Sequence, residues 1–196
     1  MSRRATHLLN YGLYQTGWFA CVLGAAWHQP WTGFAIAMAL IGVHLLLADD
    51  RAVESRLILL ATLVGAVAES CLHASGTYRV ASGTLFDFLP PLWLLAMWGQ
   101  LATTFRFSLR SVASSPVRAA IFGAAGAPVA FLAGERMGAL TLLPPTSFAL
   151  ARIAAIWCIA MVVLSLEVRR EAKPSRDPRY RLAGASFTRK AQAISD

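Results

Sequence analysis

Glu69 and His73 stand four residues apart in the segment AESCLH, so a helix carrying them places a carboxylate and an imidazole on one face. Those are the types for general acid and base work, because burial and neighbouring charges can tune both into the range where protons move near neutral pH. Asp87 opens the next apolar stretch, Arg152 opens the last one, and Glu135 and Arg136 close the one between them. If the apolar stretches cross a membrane, these six residues fall toward the same side and can converge on one half of a bundle. Ionisable side chains at membrane depth are costly, which makes them the first place to look for a site.

Three chemistries fit these types. In the first, Glu69 is acid or base, His73 is its partner, and Asp87 and Arg152 orient the reacting groups. In the second, His44, Glu69, His73 and Asp87 supply ligand types suited to a metal, although His44 falls near the opposite face and that spacing argues against a single centre. In the third, Arg152 or Arg136 holds an anionic head group through charge-assisted hydrogen bonds. A reading without chemistry stands beside them, in which the same residues pair with one another as a structural ion network. No cofactor follows from the residues.

The elements that must position this set are membrane spans. Of 196 residues 57% are hydrophobic and only 14% charged, against roughly a quarter charged in soluble domains, and mean hydropathy is +0.54. The expected fold is all-α, a polytopic membrane bundle of six transmembrane helices over residues 7–27, 31–48, 57–78, 85–107, 119–133 and 147–168. Each is near the roughly 20 residues that a bilayer requires. Residues 1–168 thus form one transmembrane domain, and residues 169–196 form a basic tail too polar for a core and expected to be disordered.

The net charge of +8 would suggest nucleic acid in a soluble domain. Here the basic residues sit in short loops and the tail, and no nucleic-acid partner is expected. All of the 18 Lys and Arg residues except Arg79, Arg136 and Arg152 fall on one side of the six-span arrangement. The positive-inside rule then puts both termini in the cytoplasm.

The fourth stretch, 85–107, is the expected centre, because Asp87, Pro90, Pro91, Trp93, Trp98, Gln100, Thr103 and Thr104 would not face lipid. Trp93 and Trp98, five residues apart, point to different sides of their helix, so that one can line a cavity while the other packs. Asn10 and Gln15 in the first span are placed to hydrogen-bond to Gln100, Thr103 or Thr104. Trp93, Trp98, Gln100, Arg152 and Gln15 are therefore the expected substrate-binding side chains. Cys21, Cys71 and Cys158 lie in three different apolar stretches with no ligand spacing. The GxSxG, HExxH and Walker patterns are not present in the sequence.

Three segments, NYGLYQTGWFACVLGAA at 10–26, LPPLWLLAMWGQLATTFRFSLR at 89–110 and IFGAAGAPVAFLAGERMGAL at 121–140, carry a resemblance, together with His44 and AESCL at 68–72. In these the chain resembles a family of small bacterial inner-membrane proteins classed as a domain of unknown function, over roughly residues 8–168. The resemblance implies an inner-membrane location. The family's gene neighbours, methyltransferases of the cyclopropane-fatty-acid type and flavin amine oxidases, imply membrane lipids and a lipid-modifying enzyme as partners. The expected function is action on a membrane lipid or fatty acyl substrate through the polar cluster. The alternative is a non-catalytic scaffold or small-molecule carrier.

Overall fold

The computed structural model describes residues 3–86 and 89–171. Among them the chain is all-helical apart from one short strand pair. The helices are α1 (Arg3–Ala26), α2 (Pro30–Leu47), α3 (Arg51–Ala74), α4 (Leu92–Ala102), α5 (Arg110–Ala113), α6 (Pro116–Arg136) and α7 (Thr146–Glu171). Strand β1 (Tyr78–Val80) follows α3, and β2 (Leu140–Leu142) follows α6. Four helices, α2, α3, α6 and α7, are long and apolar enough to cross a membrane. Helix α1 is 24 residues long but more polar.

Local chemistry sets the boundaries. The charged segment expected as a loop before the third span is largely helix, because the Asp50 side chain accepts a hydrogen bond from Val53 N at 3.1 Å and starts α3 at Arg51. Ser115 caps α6 in the same way with Pro116 in its first turn, and α6 runs unbroken through Pro128. The last helix continues to Glu171, beyond the expected boundary at residue 168; the rest of the tail, 172–196, lies outside the described residues.

The expected central span is the largest difference. Its helix, α4, has only 11 residues, roughly 16 Å at 1.5 Å per residue, about half the hydrocarbon thickness of a bilayer. Pro90 and Pro91 hold the chain extended before it, with Pro91 at φ −64° and ψ 149°. Thr103 and Thr104 end it by turning their hydroxyls onto the carbonyls of Gln100 and Leu101, at 2.7 and 2.6 Å. Its central position is as expected: Trp93, Trp98, Gln100, Leu101 and Ala102 are buried, and α4 packs against α1, α2 and α3.

Strands β1 and β2 pair antiparallel, with Tyr78 opposite Leu142 and Val80 opposite Leu140. The pairing gathers the ends of α3 and α6 and the start of α7 at one end of the bundle, here the strand end. The other end gathers the start of α1, the α2–α3 turn, the segment after α4 and the close of α7, where Arg56 meets Glu171 at 2.9 Å. Helix α6 lies along α7 and α1 along α2, while α1 and α6 make no extended contact. That leaves a cleft floored by α4.

Candidate functional site

Glu69 is the most deeply buried of the described acidic residues, with no exposed surface. Its carboxylate is held by neutral donors: the Tyr78 hydroxyl donates to Oε2 at 2.7 Å and the Trp98 indole to Oε1 at 3.1 Å. No ion pair among the described residues reaches it. The Trp157 indole stacks on Trp98, and its own N–H is buried without a hydrogen-bond partner among the described residues.

This placement depends on Gly65, one turn before Glu69. A Cβ there would stand 2.2 Å from the Trp98 ring, so only glycine lets the indole lie flat on α3 and present its N–H to the carboxylate. Gly123 does the same between α6 and α7, where a Cβ would stand 2.4 Å from the Trp157 carbonyl.

Rings enclose the carboxylate. Trp98 and Trp157 stack with centroids 4.1 Å apart and planes tilted by 30°. Phe131 meets Trp157 edge-on at 6.5 Å and Tyr78 at 5.2 Å. His73 contacts the Tyr78 ring at 6.3 Å. Trp98 and Trp157 also line a cavity of about 100 Å3 in the α1–α6 cleft. Three stripes line it: Tyr14, Trp18 and Val22 of α1; Trp93, Met97, Trp98 and Leu101 of α4; and Phe122, Gly126, Ala130 and Gly134 of α6. Successive members of the α1 and α6 stripes are four residues apart, the spacing of one helix face.

The expected cluster therefore assembles only in part. Glu69 and His73 share a neighbourhood through Tyr78. Asp87 lies outside the described residues. Arg152 is exposed and donates from Nη1 to the Ser75 carbonyl at 2.8 Å, capping the end of α3. Glu135 accepts from Leu142 N at 2.8 Å and anchors β2, and Arg136 is exposed. None of the ion pairs among the described residues contains Glu69, His73, Glu135, Arg136 or Arg152.

The ion cluster lies instead at the opposite end. Glu54 is 2% exposed and bridges two cations or potential cations, accepting from Arg106 Nη1 at 3.1 Å and lying 3.0 Å from His44 Nε2. Nearby, Asn10 Nδ2 donates to the Thr103 carbonyl at 2.9 Å and the Ser108 hydroxyl donates to Asn10 Oδ1 at 2.7 Å. Gln100 Nε2 donates to the Ala37 carbonyl at 2.8 Å. Asn10 thus makes the expected link to the fourth stretch; Gln15 is half-buried and takes no part in these bonds.

Trp93 and Trp98 both line this cavity; the Trp93 N–H donates to the Ser82 carbonyl at 3.1 Å, and Trp98 also packs on Gly65 and Trp157. Tyr78, Trp157, Glu54 and Arg106 were not among the expected site residues. Only Trp157 had a legible signal, as an aromatic residue among small ones in the last span. Among the described residues no group of three or more His, Cys, Asp or Glu side chains is gathered closely enough to hold a metal. Gln100 and Arg152, engaged with backbone carbonyls, are positioned as braces rather than as lining of the cavity.

Comparison with curated proteins and with solved structures gives no match. A family model described as Protein of unknown function (DUF2878) matches residues 7–163, and the chain belongs to that family.

Proposed function

We propose that the chain is a bacterial inner-membrane protein that crosses six times with both termini in the cytoplasm. It binds a membrane lipid, a fatty acyl chain or another small amphiphile in the α1–α6 cleft, as a carrier or as the membrane subunit of a lipid-modifying system. The observation that carries this reading is an aromatic cavity set against a fully buried, carboxylate-bearing side chain. The exposed faces support the location: Leu59, Leu63 and Val67 of α3 and Ile121 and Val129 of α6 point outward, where water would penalise them and lipid would not. Trp27 and Trp31 are 69% and 53% exposed at the strand end, as an interfacial aromatic belt requires. The arginine-rich opposite end fits the cytoplasmic face.

Binding is favoured over catalysis because both Glu69 oxygens are already engaged and the residue has no exposed surface. A scaffold built on an ion network at this site is disfavoured, since the ion pairs lie at the other end. Short α4 crosses with the extended and turn segments on either side of it.

Gly126 provides the test. A Cβ at this position meets only the Phe122 ring, at 4.0 Å, so Gly126→Leu fills the cavity while improving helix propensity. The purified full chain is expected to retain an amphiphile, detected by mass spectrometry of extracted lipids, that Gly126→Leu lacks. Equal retention by both would overturn the reading. A reporter fused after Asp196 is expected to be active in the cytoplasm, and a periplasmic signal would sink the topology.

A further inference from the structure

The cavity wall carries more information than apolarity. Trp18, Trp93, Trp98, Trp157, Phe131 and Tyr14 surround it, so an occupant meets a largely aromatic wall, and the faces of aromatic rings are negative. Two of the indole N–H groups are directed elsewhere: Trp93 onto the Ser82 carbonyl and Trp98 onto Glu69. The Trp157 N–H is buried and makes no hydrogen bond among the described residues. An anionic head group would find one indole donor without a partner, that of Trp157, and otherwise aromatic and aliphatic surface. A water in such a space needs two to four polar partners, and this lining supplies few.

At the N–H edge of Trp98 stands a carboxylate with no ion-pair partner among the described residues. A hydrogen bond from an indole N–H to a carboxylate makes the ring more electron-rich, and the charge itself acts through the ring in a low-dielectric site. An aromatic wall with an acidic side chain one ring away and no ion-pair partner for it forms an environment that recognises an organic ammonium ion. The size agrees. A volume of about 100 Å3 is the share of roughly three waters in the liquid, room for an ammonium group with small alkyl substituents and for little more.

We propose that the aromatic cavity is a site for a small alkylammonium group, with Trp18, Trp93 and Trp157 supplying aromatic surface and Glu69 the balancing charge at the N–H edge of Trp98. This rests on the reading of the cleft as an amphiphile site and gives the polar end of that amphiphile its chemistry. The group reaches the cavity through the cleft between α1 and α6, either on a lipid or as a free small cation.

Titration calorimetry on the full chain in phosphatidylglycerol nanodiscs compares choline with 3,3-dimethylbutan-1-ol, its uncharged carbon isostere. Choline is expected to bind saturably and at least about tenfold more tightly than the isostere. Gly126→Leu is expected to abolish binding of both, and Glu69→Gln to bring choline down to the level of the isostere. Should Glu69→Gln fail to fold, Trp18→Leu, at a half-buried edge of the cavity, is expected to weaken choline more than the isostere. Nanodiscs containing phosphatidylcholine separate the sources: competition with added choline assigns the group to a lipid, and undiminished choline binding assigns it to a free cation. Equal binding of the two probes, or binding of the isostere alone, overturns the ammonium assignment and leaves the amphiphile reading standing. If neither probe binds, the ammonium assignment also falls, and the retained-amphiphile measurement then decides the underlying reading by itself.

Discussion

Two glutamates on one helix are buried by opposite means. Glu54 and Glu69 are separated by four turns of α3, roughly 22 Å, and are 2% and 0% exposed. Glu54 is held by Arg106 and His44, each bonding a different carboxylate oxygen. Glu69 is held by a phenol and an indole. Removing one partner from a buried ion pair strands a charge, whereas replacing a carboxylate held by neutral donors with an amide leaves hydrogen bonds that can re-form. The first arrangement is suited to locking α2, α3 and the segment after α4 together. The second leaves negative potential unspent beside a cavity.

The largest effect is expected where that lock is opened. Arg106→Ala leaves Glu54 with His44 alone, and the loss should be about 2–3 kcal/mol, toward the lower end because the Arg106 side chain is 40% exposed and partly screened. Thermal unfolding of the full chain in detergent measures it; an unchanged midpoint would remove the structural role given to this end. At the other end the stabilising contact is steric. Gly65→Ala drives a methyl into the Trp98 ring and should cost about 1–3 kcal/mol by overpacking. It should also shift tryptophan fluorescence as the stack with Trp157 is displaced. A silent spectrum would mean that Trp98 does not rest on α3 as described.

The contrast also explains how much was legible beforehand. Apolar periodicity and length gave the long helices, since four of them satisfy the bilayer requirement on composition alone. Glu69 and His73 were legible because i, i+4 neighbours share a face whatever the tertiary fold. Tyr78 was not, because it acts from a three-residue strand paired with β2 more than sixty residues later, and such pairing leaves no local pattern. Glu54 was hidden by its own segment: a run of charges reads as a solvated loop until Asp50 caps it and the helix turns Glu54 inward. The partner of Arg152 was not legible, because depth along a span does not tell a carboxylate from the exposed Ser75 carbonyl at the end of α3, to which it donates. The short α4 was obscured by apolar residues that continue past Thr103 without remaining helical.

The central claim is that Glu69 is a replaceable charge and Glu54 a structural one. The most direct measurement compares Glu69→Gln with Glu54→Gln in the full chain, reading unfolding midpoint and choline binding together. Tyr78 can turn its hydroxyl from donor to acceptor, so Glu69→Gln should stay within about 1 kcal/mol of wild type and lose its preference for choline. Glu54→Gln gives up charge-assisted bonds and should lose about 2 kcal/mol while keeping that preference. The account would be contradicted if Glu69→Gln destabilised the protein as much as Glu54→Gln and left choline binding intact.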